Sequence, residues 1–180
     1  MLLSVNISDN KVNTGEKSWF ALYTKPRSEF KAAEQIKLLG VDHYLPTILK
    51  VKQWSDRKKK ITEPVIRGYI FIFADEKGRL ASLEQQAVVR CVFEAGRPAK
   101  IPIWQMENLM KMLSADSEFF VHEGITKGTK VKIIDGPFEG VIGTVNEFDE
   151  GKSIAVSIEL LNRSIIAHLP TDSSFEVVKK

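Results

Sequence analysis

Apolar positions first gather at Ser18-Trp19-Phe20-Ala21-Leu22-Tyr23, an aromatic-rich run that predicts a strand. Pro26 ends the run and suits the first turn of a helix. Phe30, Ala33, Ile36 and Leu39 then recur every three residues with Lys31, Glu34 and Lys37 between them, and Gly40 follows, so the spacing predicts an amphipathic helix. His43-Tyr44-Leu45-Pro46 and Ile48-Leu49-Lys50-Val51 read as extended pieces. Gly68-Tyr69-Ile70-Phe71-Ile72-Phe73 is the most hydrophobic run and lacks alternation, which predicts a buried central strand with Phe71 and Phe73 in the core. Residues 77–86 read as a short helix and Val88 to Phe93 as another strand. Ile101-Pro102 opens a last helix with Ile103, Met106, Leu109, Met110 and Leu113 on one face. The order predicts an α+β domain of about 100 residues, a mixed sheet with flanking helices in an α/β sandwich.

The rhythm changes after residue 115. Ser114-Ala115-Asp116-Ser117-Glu118 and Glu123-Gly124 are polar and aperiodic. Beyond them Val131/Ile133, Val141/Val145, Ile154/Val156/Ile158 and Ile165/Ala167/Leu169 alternate with polar residues, separated by Gly136-Pro137, Asp149-Glu150-Gly151 and Asn162-Arg163. Five short strands in about 50 residues predict a small closed β-barrel. The expected organisation is a flexible extension over 1–16, a first domain over 17–115, a linker over 116–126 and a second domain over 127–180.

Composition narrows the function. With 43% hydrophobic and 27% charged residues the chain is globular, and a net charge of +3 is too small to imply a polyanion unless it is concentrated. Cys91 is the single cysteine, so no internal disulfide or thiol metal site is expected, in keeping with a cytoplasmic protein. The N-terminus lacks a secretory pattern and no run approaches the ~18 apolar residues of a membrane span. His43, His122 and His168 are scattered, and no phosphate-binding loop or nucleophile elbow occurs. No catalytic residues, metal or cofactor are expected.

The basic charge is concentrated. Lys50, Lys52, Arg57, Lys58, Lys59 and Lys60 stand against Asp56 alone, and Trp54 lies among them. With Lys25 and Arg27 these can meet phosphates, and an exposed Trp54 can stack on a base. A solvated hairpin with Trp54 packed on the domain accounts for the pattern equally well.

Two segments carry a family resemblance. Gly128-Thr129-Lys130-Val131-Lys132-Ile133-Ile134-Asp135-Gly136-Pro137-Phe138-Glu139-Gly140-Val141-Ile142-Gly143-Thr144-Val145 resembles the KOW motif, with Gly140 and Gly143 at conformations or close approaches that a Cβ would obstruct. Trp19-Phe20-Ala21-Leu22-Tyr23-Thr24-Lys25-Pro26, Tyr44-Leu45-Pro46, Glu63-Pro64-Val65-Ile66-Arg67-Gly68-Tyr69-Ile70-Phe71-Ile72 and Val88 to Pro102 resemble the N-terminal domain of NusG-type transcription elongation factors. The resemblance implies a NusG-type N-terminal domain followed by an SH3-like KOW barrel. It also implies a pocket for the clamp helices of the largest RNA polymerase subunit at Tyr23, Pro46, Ile66 and Tyr69. Upstream or non-template DNA would meet Lys25, Arg27, Lys52, Trp54, Arg57, Lys58 and Lys59. The barrel would meet a protein partner, such as a ribosomal protein, through Phe138, Val141 and Leu161.

Two departures matter. Ile66-Arg67 stands where the family has Phe-Pro, and Val141 and Leu161 stand where exposed aromatics serve general NusG, which implies weak or no binding to Rho. Gln53-Trp54-Ser55-Asp56-Arg57-Lys58-Lys59 is similar to the specialised Bacteroidetes paralogues (UpxY-like) that act as antiterminators at capsular polysaccharide operons, with a role similar to that of RfaH. Arg79 opens a helix that reads a flipped base in the RfaH branch, but the matching residues are not reproduced. A monomer is expected. The alternatives are a general NusG coupling polymerase to Rho or the ribosome, and a ribosome-associated RNA-binding KOW protein. Asp135, Glu139, Glu147, Asp149, Glu150 and Glu159 balance the basic residues of the second domain and disfavour the latter.

Overall fold

The computed structural model describes residues 15–53, 57–148 and 151–178, with nothing said of the side chains of Lys52, Glu147 and Phe148. The 1–16 extension and Trp54 therefore lie almost wholly or wholly outside the described residues. In chain order the elements are β1 (Ser18–Thr24), α1 (Glu29–Leu38), β2 (Asp42–Tyr44), β3 (Thr47–Gln53), β4 (Lys58–Pro64), β5 (Tyr69–Ala74), α2 (Glu76–Leu83), β6 (Val88–Cys91), β7 (Phe93–Glu94), β8 (Arg97–Pro98), β9 (Lys100–Ile101) and α3 (Ile103–Ser114). They continue with β10 (Phe119–Glu123), β11 (Thr129–Ile133), β12 (Ile142–Phe148), β13 (Gly151–Ile158), a 3-10 turn (Glu159–Leu161), β14 (Arg163–His168) and β15 (Phe175–Val177).

The first sheet has the order β2-β5-β1-β6, with β9 also on β1. The crossover through α1 leaves β1 and β2 parallel in direction, but β5 lies between them and pairs antiparallel with both. The sheet is thus antiparallel at every described pairing, in place of the mixed sheet expected, because a strand from later in the chain fills the split between the crossover partners. Alternation along β1 and β5 sends Phe20, Leu22, Ile70 and Ile72 to one face, where they pack with Ala32 and Ile36 of α1. Ala21 and Phe71 go to the other, with Met106 and Leu109 of α3.

Helix α1 buries Glu29, Ala32 and Ile36, while Phe30 and Leu39 of the anticipated stripe are exposed. The helix is turned by its first residue, whose Oε1 accepts the Gly68 N–H at 2.8 Å. Helix α2 begins where the Asp75 carboxylate accepts the Gly78 N–H at 2.8 Å.

The second sheet has the order β10-β14-β13-β12-β11-β15, antiparallel throughout its described pairings. Its described pairings run in a line instead of the closed five-stranded ring expected, because β10 and β15 occupy the two edges. The stretch read as a linker, 116–126, holds β10, which pairs with β14 from Phe119↔Ala167 to Glu123↔Arg163. At Gly143 a Cβ would lie 2.6 Å from the Ala155 carbonyl oxygen, so this crossing of β12 and β13 requires glycine.

Candidate protein-docking site

β1 and β5 present three cross-strand pairs on one face: Trp19↔Phe73, Ala21↔Phe71 and Tyr23↔Tyr69. α3 covers the middle pair. At one end the Trp19 and Phe73 rings meet tilted at 41°, centroids 5.3 Å apart, and are part-exposed, unlike the buried Phe71. At the other end Tyr23 and Tyr69 meet edge to face at 5.4 Å, both half-buried. The Arg90 guanidinium lies 5.8 Å from the Tyr23 ring centroid. Gly68, at φ +80°, lets the backbone pass behind Tyr23, because a Cβ there would approach its Cε2 to 3.1 Å.

Pro46 and Ile66 join this region from below the surface. The Pro46 carbonyl accepts the Val65 N–H at 2.8 Å, Pro46 is buried, and Ile66 is only 2% exposed. Ile66 therefore does not offer the apolar surface expected of it, since it packs into the same cluster as Phe71 and Leu109. Arg67 is exposed, 3.7 Å from the Glu63 carboxylate. Tyr44, packed on the same cluster, has its phenol pushed up to about 12 by burial.

The basic residues occupy two places. Lys25 and Arg27 are exposed in the turn between β1 and α1. β3 and β4 form a separate two-stranded ribbon, paired from Thr47↔Pro64 to Gln53↔Lys58, on which Arg57, Lys58, Lys59 and Lys60 are exposed. The register sets Lys52 opposite Lys59. Leu49 and Val51 are 62% and 59% exposed on the face that Lys58 and Lys60 share. Arg79 is buried: its Nε donates to Glu76 Oε2 at 2.9 Å and its guanidinium lies 5.9 Å from the Phe20 ring, so it braces α2 on the sheet. Burial pushes the nearby Cys91 thiol up, and Arg79 opposes that shift.

Phe138, Val141 and Leu161 are brought together, but not at a free surface. Phe138, which the family resemblance gives as a partner contact, is 1% exposed, and all three share the buried cluster with Met106, Leu109 and Met112. The Phe119 ring meets Phe138 edge to face at 6.5 Å. Gln105 and Asn108 make this join. Asn108 Oδ1 accepts the Ile142 N–H at 2.9 Å and Gln105 Oε1 accepts the Glu159 N–H at 3.3 Å. Sequence reasoning passed over both, because a carboxamide between apolar helical positions reads as the solvent side. Their i, i+3 spacing beside Met106 and Leu109 is the available signal.

Among the described residues, the Tyr23–Tyr69 end of the first sheet is a half-buried aromatic surface with Arg90 beside it, whereas Phe138, Val141 and Leu161 are buried. The chain belongs to the NusG family: a family model described as transcription termination factor nusG matches residues 17–110, more than half of the chain. It is similar to transcription termination/antitermination protein NusG of Borreliella burgdorferi, at 28% identity over 91% of this chain and 98% of that protein. It is also similar to the proteins of that name from Pasteurella multocida, at 25% over 93% and 97%, and Rickettsia conorii, at 24% over 96% and 96%. Among solved structures it is similar to one titled "Domain interaction in Thermotoga maritima NusG", at 21% identity over 84% of this chain and 93% of that one, TM-score 0.48. A structure of the MjSpt4:Spt5 complex matches at 22% identity over 90% of this chain and 99% of that one, TM-score 0.31.

Proposed function

We propose that this chain is a non-enzymatic, cytoplasmic elongation factor that grips the clamp helices of RNA polymerase and suppresses pausing or termination, specialised for a long polysaccharide operon. The observation that carries the grip is the Tyr23–Tyr69 pair, two half-buried rings with polar tips at one end of a sheet face whose middle pair, Ala21 and Phe71, is buried. A helix docking there gains about 25 cal/mol per Å² of apolar area and can hydrogen-bond the phenols. Ile66 supports the pocket from beneath, and Arg67 and Arg90 form its charged rim. The β3–β4 ribbon supplies Lys58, Lys59 and Lys60 for DNA phosphates. The factor acts by stabilising one polymerase conformation over others, without chemistry.

The specialised role is supported by the sequence departures at Ile66-Arg67, Val141 and Leu161 and by the basic ribbon. Sequencing nascent transcripts with and without the protein tests it. Read-through gained within one long operon supports the reading, and an equal change across most transcription units overturns it in favour of a general factor.

A further inference from the structure

Resting on the Tyr23–Tyr69 pair as the grip on a polymerase helix, we infer that Arg90 sets a charge requirement on that helix: it selects a partner with a carboxylate beside its apolar contact.

The register puts three side chains in one row. Tyr23 stands opposite Tyr69 of β5 on one side and opposite Arg90 of β6 on the other. Directly opposed residues share a sheet face, so two phenols and a guanidinium follow one another across three strands, over about 10 Å. Two residues further along β1 and β5 the same face is closed, because Ala21 and Phe71 are buried. Arg90 is exposed on β6, an end strand of the sheet.

The charge around the row is unbalanced. Arg67, in the turn that leads into Tyr69, already has the Glu63 carboxylate at 3.7 Å. Among the described residues no Asp or Glu forms an ion pair with Arg90. Its guanidinium lies over the Tyr23 ring, 5.8 Å from the centroid, a contact that water weakens but that keeps the fork beside the phenols.

A docking helix strips water from this row. A guanidinium left there without an anion opposes binding, whereas a carboxylate accepts two parallel N–H bonds from the fork. Side chains three or four residues apart on a helix lie about 5–6 Å apart, close to the strand spacing of about 4.8 Å. A carboxylate at that spacing from the residue seated on the tyrosines therefore meets Arg90. The arginine rejects helices with an apolar or basic residue at that place as well as favouring acidic ones. The tyrosines meet edge to face and offer no stacked platform for successive bases, which favours a helix over single-stranded nucleic acid.

The test measures binding of the full-length chain to purified RNA polymerase free of nucleic acid, by fluorescence anisotropy, with circular dichroism to check the fold. Arg90→Glu is expected to weaken binding roughly tenfold or more, and Arg90→Lys by less. Replacing one Asp or Glu of the clamp helices by Lys is expected to restore binding to Arg90→Glu while weakening the wild type. Undiminished binding by Arg90→Glu overturns the proposal, and so does failure of every such replacement to restore it. Tyr69→Ala separates the two readings. A loss on Tyr69→Ala with none on Arg90→Glu removes only the charge requirement, whereas no loss on either removes the grip as well. A loss of duplex DNA binding by Arg90→Glu with polymerase binding intact assigns the guanidinium to phosphate and also overturns the proposal. Should Arg90→Glu fail to fold, Arg90→Gln decides: a roughly tenfold loss supports the requirement and unchanged binding overturns it.

Discussion

Tyr23 and Tyr69 stand opposite each other in the β1–β5 register and meet edge to face, with ring centroids 5.4 Å apart. Gly68 sets this geometry, because its φ of +80° turns the chain into β5 while leaving Tyr23 room. Gly68→Ala adds left-handed strain and a methyl against the ring. It should cost about 1–2 kcal/mol of stability and weaken polymerase binding. Urea denaturation checks the first, and an unchanged midpoint would contradict this account.

The Glu29 carboxylate holds the same turn from the other side of the sheet. It is buried and accepts the Gly68 N–H at 2.8 Å. Glu29→Ala leaves that N–H without its acceptor and should destabilise the fold by about 1–3 kcal/mol. Glu29→Gln keeps an acceptor and should lose less. Thermal melts of both variants give the comparison.

Tyr44 makes stability fall in alkali. Its phenol titrates near 10 when unfolded and near 12 when folded. Below about pH 10 both states hold the proton. Between about 10 and 12 only the folded chain holds it, so deprotonation favours unfolding as pH rises, by at most about 2–3 kcal/mol. Tyr44→Phe should flatten that part of the stability–pH curve, measured by urea midpoints from pH 9 to 12. A slope equal to that of the wild type would show the phenol is not responsible.

Lys58 and Lys60 lie on one face of the β3–β4 ribbon. If they meet phosphates, replacing both by Ala should reduce the slope of log K against log salt for duplex DNA by about 1–2, seen in fluorescence anisotropy from about 50 to 200 mM salt. An unchanged slope would leave them as solvated lysines.

Much of this was legible in the sequence because apolar runs and breakers coincide. Ser18–Tyr23 and Gly68–Phe73 are strands at the centre of the first sheet, and α3 starts directly after Pro102. The facing of α1 was not legible, since it is set by a carboxylate reaching a backbone 39 residues away. β10 looked like a linker because an edge strand with exposed Phe120, Val121, His122 and Glu123 carries no inward alternation. The burial of Phe138 was hidden for a different reason. Its cover is α3, which must satisfy the first sheet and the second at once, and the residues that dock it are amides.

The most direct measurement of the central claim is the affinity of the full-length chain for purified RNA polymerase, compared with Tyr69→Ala and with a polymerase whose clamp helices are deleted. Tight binding by the wild type, a loss of tenfold or more for Tyr69→Ala with its fold intact, and no binding to the deleted polymerase are the predicted results. Equal binding of wild type and Tyr69→Ala, or undiminished binding without the clamp helices, would contradict the account.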